Sequence, residues 1–78
     1  MGSIFGDSVY DVIEIVGTST KSYEEAVKTA IEMADRTLTN MRIAEIVRLD
    51  TRLADGNVME FRAKVKLSFK HEVEPETL

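Results

Sequence analysis

The sequence has 78 residues, of which 44% are hydrophobic and 31% are charged, and this balance indicates one small folded domain over residues 1–78 rather than a disordered or fibrous chain. The formal net charge of −4 speaks against a general nucleic-acid binder. No stretch approaches the ~20 apolar residues of a membrane span, and the first residues lack a signal-peptide pattern. We therefore expect a cytoplasmic protein that binds neither nucleic acid nor membrane.

The size of the chain points to self-association. A domain of this length buries only about 60% of its unfolded surface. The chain has no cysteine, so disulfides cannot add stability. We expect other copies of the chain to supply the missing burial.

The first predicted element is a strand over residues 8–16, rich in β-branched and aromatic residues. Gly17 is predicted to end it. A strand, a glycine turn and a helix also occur in nucleotide-binding loops. Gly17 stands alone, however, with neither the further glycines nor the lysine of such loops, so the segment is interpreted as a plain turn.

A helix is predicted to begin at Ser22, which forms a capping-box pattern with Glu25, and to end near Asn40. Apolar residues recur along one side of it at spacings of three and four. They are Tyr23, Ala26, Val27, Ala30, Ile31, Ala34 and Leu38. The three alanines on this side predict that a sheet approaches the helix closely.

Two further strands are predicted, over residues 41–53 and over the segment that follows the turn dipeptide Asp55 and Gly56. The last strand alternates strictly. Its apolar positions are Met59, Phe61, Ala63, Val65, Leu67 and Phe69, and the opposite face carries Glu60, Arg62, Lys64, Lys66, Ser68 and Lys70. The predicted fold is α+β: a β-α-β-β protomer with an antiparallel sheet in the order 1-3-2. Residues 1–7 and 72–78 are expected to be flexible ends.

The residues suggest little catalytic chemistry. His71 is the only histidine, and it lies next to the charged tail at the chain end. We expect no fixed neighbour for it there, so no catalytic residue is assigned. The basic face of the last strand is expected to be neutralised by Asp11, Glu14 or Glu45, or else to form an anion pocket where copies converge. Acidic residues pooled by several copies could instead bind calcium, namely Asp7, Asp11, Glu14, Glu45, Asp50 and Asp55.

The segments "VIEIVGTS", "RIAEIV" and "FRAKVKLSF", together with the alanine-bearing helix, resemble the dodecins over residues 9–70. This resemblance implies a sheet curled around one helix and twelve copies assembled into a hollow shell. Flavin-binding members hold riboflavin or FMN between a strand-2 tryptophan and a strand-3 glutamine. Dodecins act as stores or buffers rather than as enzymes.

This chain departs from the flavin-binding pattern. Ile43 occupies the tryptophan position and Arg62 the glutamine position, while a phosphate-contacting arginine is replaced by Asp50. Isoleucine has no aromatic face for stacking, and a guanidinium cannot accept a hydrogen bond from the flavin imide. The pattern is similar to a tryptophan-lacking subgroup of calcium-associated dodecins, although no calcium ligands can be matched.

The sequence therefore predicts a non-enzymatic, small-ligand-binding or storage protein that forms a homododecamer. The candidate ligand-binding residues are Ile43, Glu45, Arg62 and Lys70. FMN or riboflavin is the ligand implied by the family. The alternatives are a flavin-free member that binds calcium or another small ion, and a purely structural assembly.

Overall fold

A computed structural model of the chain describes residues 8–71. Its elements are β1 (Tyr10–Ser19), α1 (Tyr23–Asp35), β2 (Met41–Ala54) and β3 (Asn57–Lys70). The three strands form one antiparallel sheet in the order β1-β3-β2, which confirms the predicted β-α-β-β topology. The expected flexible ends lie outside the described residues, and the single domain over residues 1–78 stays a prediction. Within residues 8–71, no helix is long and apolar enough to cross a membrane.

The core lies where α1 covers β1 and β3. The alanines Ala26, Ala30 and Ala34 are buried, as are the β3 residues that face the helix, Ala63, Val65 and Leu67. Alanine leaves no long side chain between helix and sheet, so the two backbones approach closely. The predicted alanine stripe is thus confirmed as the side on which the helix packs.

Gly17 does not end the first strand, which was a wrong prediction. Strand β1 continues through Gly17 to Ser19, and Gly17 pairs with Ala63 in the sheet. A Cβ atom on Gly17 would lie 2.2 Å from the carbonyl oxygen of Ala26 and 2.8 Å from Cβ of Ala30. Glycine is therefore required because the helix passes directly over this position, and the turn comes later, at residues 20–22.

The start of the helix follows the predicted cap in part. Oγ of Ser22 accepts a hydrogen bond from the backbone N–H of Glu25 at 3.0 Å. The backbone N–H of Ser22 donates to Oγ of Ser19 at 3.4 Å, rather than to the carboxylate of Glu25. Ser19 and Ser22 together therefore cap the turn between β1 and α1.

The helix ends earlier than predicted, at Asp35 rather than near Asn40. The backbone N–H groups of Thr37 and Leu38 both donate to the carbonyl of Ala34, and Asn40 has a left-handed φ of 60°. Leu38 still packs against the core although it lies beyond the helix. Its apolar contact explains why it continues the helical spacing in the sequence.

A β-bulge in β2 changes which of its residues share a face. Ile46 pairs with Val65, but the next pair is Arg48 with Lys64, so Val47 is the extra residue. The bulge brings Ile46 and Leu49 to the helix side of the sheet, while Glu45, Arg48 and Asp50 lie on the other side. The side chains of β2 therefore do not alternate strictly between the two faces at this point.

Strand β2 is poorly covered. The helix packs mainly on β1 and β3 and touches β2 little. Beyond Ser19 the β2–β3 hairpin continues without β1, and the molecule reaches 63 Å in its longest dimension. Several large apolar side chains of this hairpin are exposed: Ile43, Ile46, Val47, Leu49, Leu53, Val58 and Met59. At its tip Asp55 and Gly56 have positive φ values of 52° and 76°, which confirms the predicted two-residue turn.

Candidate functional site

The four candidate ligand-binding residues lie on one face of the sheet, the face away from α1. Their cross-strand partners establish this, because residues directly opposite in an antiparallel pair share a face. Ile43 lies opposite Ser68 and Glu45 opposite Lys66, whereas Arg62 lies between Thr18 and Asp50, and Lys70 lies opposite Tyr10. The buried positions of β3 have the other parity.

One copy of the chain does not bring all four residues together. Ile43 and Lys70 lie near the same end of the sheet, since their positions along β3 are residues 68 and 70. Arg62 is six residues from Ser68 along β3, which is roughly 20 Å at ~3.3 Å per residue. A ligand that contacts both Ile43 and Arg62 would therefore need residues from two copies.

Arg62 is engaged in an ion pair across the strands. Its Nε donates to Oδ1 of Asp50 at 2.7 Å, and both side chains are about two-fifths exposed. The hydrogen bond from Arg62 to the Asp50 carboxylate, followed by the charge of that carboxylate, raises the pKa of Arg62 above its usual value. The guanidinium is thus already directed toward a partner within its own chain.

Other charges on this face are paired as well, in line with the predicted neutralisation of β3. Nζ of Lys64 lies 3.5 Å from Oε1 of Glu14, and Nε of Arg52 lies 3.0 Å from Oε1 of Glu60. Glu45 differs, because none of the ion pairs formed within residues 8–71 includes it. Its carboxylate is exposed on the sheet face and open to an external partner.

Sequence reasoning missed Tyr10 as a neighbour of the candidate site. It is the cross-strand partner of Lys70, and Val12 is the partner of Ser68, whose other neighbour is Ile43. These residues form a surface that we call the Tyr10 patch, made of Tyr10, Val12, Ile43, Ser68 and Lys70. Tyr10, Val12 and Ile43 are exposed, and Ser68 and Lys70 are partly buried. Only the register between strands reveals the patch, because β1 and β2 are far apart in the sequence.

His71 has a fixed neighbour, contrary to our expectation. Its Nδ1 lies 2.7 Å from Oδ2 of Asp11, and its backbone N–H donates to the carbonyl of Val9 at 2.7 Å. Asp11 is thus on the helix side of the sheet, paired with histidine rather than with the basic face of β3.

An open cleft of about 250 Å³ lies beside this histidine, at the end of the sheet where the chain leaves α1. The residues that line it are Asp11, Thr37, Leu38, Thr39, Asn40, Phe69, Lys70 and His71. Across residues 8–71, no three or more His, Cys, Asp or Glu side chains are grouped so as to hold a metal ion. Any calcium site built from carboxylates alone would therefore draw on more than one copy.

Comparison with known proteins gives a consistent result. The profile of the family described as Dodecin matches residues 9–72. The calcium dodecin of Mycobacterium tuberculosis is 35% identical over 63 residues, which cover 81% of this chain and 89% of that protein. The dodecin of Thermus thermophilus is 28% identical and covers 82% of this chain and 93% of its own length.

Solved structures resemble the fold closely. The dodecin of Streptomyces coelicolor superimposes with a TM-score of 0.81 at 31% identity, covering 87% of this chain and 97% of the other. A structure of the Mycobacterium tuberculosis calcium dodecin, described as having a novel calcium-binding site, gives a TM-score of 0.75 at 32% identity, with 88% and 99% covered.

Proposed function

Because this chain belongs to the dodecin family, we propose that it is a small-ligand-binding protein that acts as a shell of twelve copies, and that its ligand is a small cation such as calcium. The protein stores or buffers this ion and carries out no covalent chemistry. The observation that carries the choice of ligand is the ion pair between Arg62 and Asp50.

The assembly is supported by the apolar surface that one copy leaves uncovered. Ile46 and Leu49 lie on the helix side of β2 but are 53% and 46% exposed, because α1 covers the other two strands. Leu53 on the projecting hairpin is 60% exposed. An exposed apolar edge strand favours association, so packing of several copies against β2 would bury this surface.

The ion pair disfavours flavin in the pose that the family resemblance implies. Turning the guanidinium of Arg62 toward a flavin ring would break its charge-assisted hydrogen bond to Asp50, which now measures 2.7 Å. At the position of the stacking tryptophan, Ile43 offers no π face. The residues at both positions therefore weaken the binding of flavin in this pose.

Glu45 is the carboxylate that we propose as the cation ligand. It is exposed on the face away from the helix and forms no ion pair within residues 8–71. Calcium takes six to eight oxygen ligands, which one such carboxylate cannot provide. Symmetry-related copies would supply Glu45 several times at one point, and water would complete the shell.

Titration calorimetry tests the cation. Chelator-treated protein is titrated with calcium chloride. We expect saturable binding with fewer than one calcium ion per chain, since copies share each site. Glu45→Gln should abolish it because the amide carries no charge. Glu32→Gln, on the exposed side of the helix, is the matched control and should bind as the parent protein does. Unchanged binding by Glu45→Gln would remove Glu45 from the site.

A second candidate is flavin held in a different pose, and the Tyr10 patch favours it. Tyr10 provides an aromatic ring beside Lys70, and Val12 and Ile43 provide exposed apolar surface on the same face. An isoalloxazine ring could pack on this surface with an FMN phosphate near the ammonium group of Lys70.

Quenching of riboflavin and FMN fluorescence tests this second candidate. If the flavins bind through the patch, Tyr10→Ala should lower the affinity for both riboflavin and FMN, and Lys70→Gln should lower the affinity for FMN only. The paired change Ile43→Trp with Arg62→Gln should increase affinity if the family's usual pocket geometry is retained. If the protein quenches the fluorescence of neither riboflavin nor FMN at any concentration, this candidate is eliminated and the cation remains as the proposed ligand.

A further inference from the structure

The face of the sheet away from α1 carries most of the positive charge of the chain. Although the formal net charge is −4, six of the ten lysines and arginines lie on this face. They are Arg48, Arg52, Arg62, Lys64, Lys66 and Lys70. The carboxylates that residues 8–71 place on the same face are fewer, namely Glu14, Glu45, Asp50 and Glu60. Pairing within this part of the chain therefore cannot neutralise every cation.

Arg48 is a cation that this pairing leaves out. The residue directly opposite it on β3 is Lys64, so two positive charges face each other where Cβ atoms lie about 4.5–5.5 Å apart. Arg48 is exposed, and no ion pair that the described part of the chain forms includes it. Asp50, two residues along β2, accepts a hydrogen bond from Arg62 instead. Like charges directly opposite each other destabilise a sheet, and here nothing described in one copy offsets them.

The β-bulge in β2 creates this contact between like charges. In an unbroken register from Ile46 onward, the residue opposite Lys64 would be Val47. Arg48 would then lie on the helix side of the sheet. The bulge thus interrupts the ladder of hydrogen bonds and places two cations side by side. Bulges that redirect a side chain are frequent next to functional sites, and local rules of stability are most often broken there.

We propose that Arg48 and Lys64 together bind a phosphate group, either as inorganic phosphate or as a phosphate monoester. The planar guanidinium of Arg48 donates two parallel hydrogen bonds to two phosphate oxygens, and the ammonium group of Lys64 adds a point charge. The anion replaces the repulsion between the two cations by attraction of both toward it. Chloride, a single atom, cannot accept the paired hydrogen bonds of the guanidinium.

The acidic neighbour of this site leaves Lys64 available. Oε1 of Glu14 lies 3.5 Å from Nζ of Lys64, which is longer than a normal hydrogen bond, and both side chains are 40% exposed. An ion pair this exposed contributes little to stability. The ammonium group can therefore turn toward a phosphate without a large loss.

The site is separate from the two ligand sites proposed above. Lys70, beside which an FMN phosphate would lie, is six residues from Lys64 along β3, roughly 20 Å at ~3.3 Å per residue. Glu45 lies opposite Lys66, and its negative charge opposes an anion on this face. Glu45→Gln should therefore bind phosphate at least as tightly as the parent protein, whereas it should lose calcium. Failure of the phosphate site and failure of the calcium site are thus distinguishable.

Thermal unfolding of chelator-treated protein tests the role of Arg48. Sodium chloride is replaced by sodium phosphate at constant ionic strength. We expect phosphate to raise the unfolding temperature of the parent more than that of Arg48→Gln, because a ligand stabilises only the protein that binds it. In chloride, Arg48→Gln should unfold at the same temperature as the parent or higher, since the repulsion from Lys64 is removed.

Two results of this experiment would overturn the proposal. An equal rise in phosphate for the parent and Arg48→Gln would be a general salt effect. A lower unfolding temperature of Arg48→Gln in chloride would show that Arg48 is a structural residue, paired with a carboxylate of another copy.

Calorimetric titration with inorganic phosphate measures the affinity. Arg48→Gln and Lys64→Gln should each weaken binding by about 10-fold or more, the usual effect of losing a hydrogen bond to a charged group. Arg48→Lys keeps the charge but not the planar guanidinium and should fall between the parent and Arg48→Gln. Arg36→Gln, an exposed arginine after α1, is the matched control and should bind as the parent does. Unchanged phosphate affinity of Arg48→Gln would refute the site.

A parallel titration with glycerol 3-phosphate identifies the source of the phosphate group. Tighter binding than that of inorganic phosphate would assign a monoester as the ligand. Equal or weaker binding would assign inorganic phosphate. In both cases the Arg48→Gln variant should lose the same share of affinity, because the contacts are to the phosphate oxygens.

Discussion

On the face of the sheet that α1 packs against, two regions differ in how well a single chain covers them. Over β1 and β3, the alanines of α1 meet Ala63, Val65 and Leu67, and these three β3 residues are fully buried. Over β2, residues of the same apolar character, Ile46 and Leu49, stay about half exposed. A single chain thus buries the apolar residues over β1 and β3, which we call the covered half, and leaves those over β2, the uncovered half, in contact with water.

This difference shows where the fold depends on other copies. Burying a large aliphatic side chain is worth about 1.5–3 kcal/mol, and β2 carries several that one copy leaves in water. The projecting hairpin also consists of only two strands, an arrangement that is marginally stable by itself. We therefore expect substitutions over β1 and β3 to affect folding, and substitutions over β2 to affect assembly.

The largest expected effect is on assembly, from a charge placed in the uncovered half. Ile46→Asp should give particles far smaller than the parent, because the new carboxylate would have to be buried unpaired between copies. Sedimentation velocity measures the size. Arg48→Gln, two residues away on the charged face, is the control and should assemble normally. A full-sized particle of Ile46→Asp would show that this surface does not form the interface.

A second expected effect comes from the same change, leucine to alanine, made once in each half. Leu67→Ala, in the covered half, should lower the free energy of unfolding by about 2–5 kcal/mol, since it leaves a cavity beneath the helix. Leu49→Ala should cost the single protomer much less and should instead make the assembly dissociate at higher protein concentration. Urea unfolding at matched protein concentrations, with sizing after dilution, separates the two. Equal losses in both assays would contradict the division into halves.

A third expected effect concerns the close approach of the helix to β1. Gly17→Ala should lower the free energy of unfolding by about 1–3 kcal/mol, because the added methyl group meets the backbone of Ala26 and the helix must move. At Gly56 a Cβ atom would have open space, and asparagine tolerates the positive φ. Gly56→Asn should therefore lower the free energy of unfolding by less than Gly17→Ala does in the same urea assay. An unaltered Gly17→Ala would refute the packing explanation.

The smallest expected effect is at the helix cap. Ser22→Ala should cost about 1 kcal/mol, because the N–H of Glu25 loses its acceptor. Ser22→Asp keeps an acceptor at this position and should restore most of that stability. Thermal unfolding monitored by circular dichroism suffices to rank the three proteins. If alanine and aspartate behave alike, the cap is not what stabilises the start of α1.

Much of the covered half could be predicted from the sequence because its signals are local. The alanine stripe was confirmed and the Ser22 cap was confirmed in part, and each acts within a few residues. The turn at Asp55 and Gly56, at the tip of the other half, is equally local and was also confirmed. The role of Gly17 could not be predicted, since it depends on a helix that passes over the strand. The helix end was wrong for a related reason: Leu38 packs on the core without being helical.

The candidate site was less predictable because its geometry depends on strand register. The register counted from the turn shifts between Leu53 and Arg52, where Met59 is an extra residue of β3; without that bulge, Arg62 would lie opposite Leu49 rather than Asp50, and no ion pair would form there. Nothing in the sequence marks that bulge. The neighbouring positions of Tyr10 and Lys70 likewise follow from the pairing of β1 with β3, which are separated by most of the chain.

The claim that other copies of the chain cover β2 is tested by the mass of the protein in solution, measured by light scattering after size exclusion. Completion of the β2 half by other copies predicts one species at about twelve times the 8.8 kDa chain mass that persists at micromolar concentration. A folded species with the mass of a single chain at that concentration would contradict the claim, because β2 would then be stable with its apolar face in water.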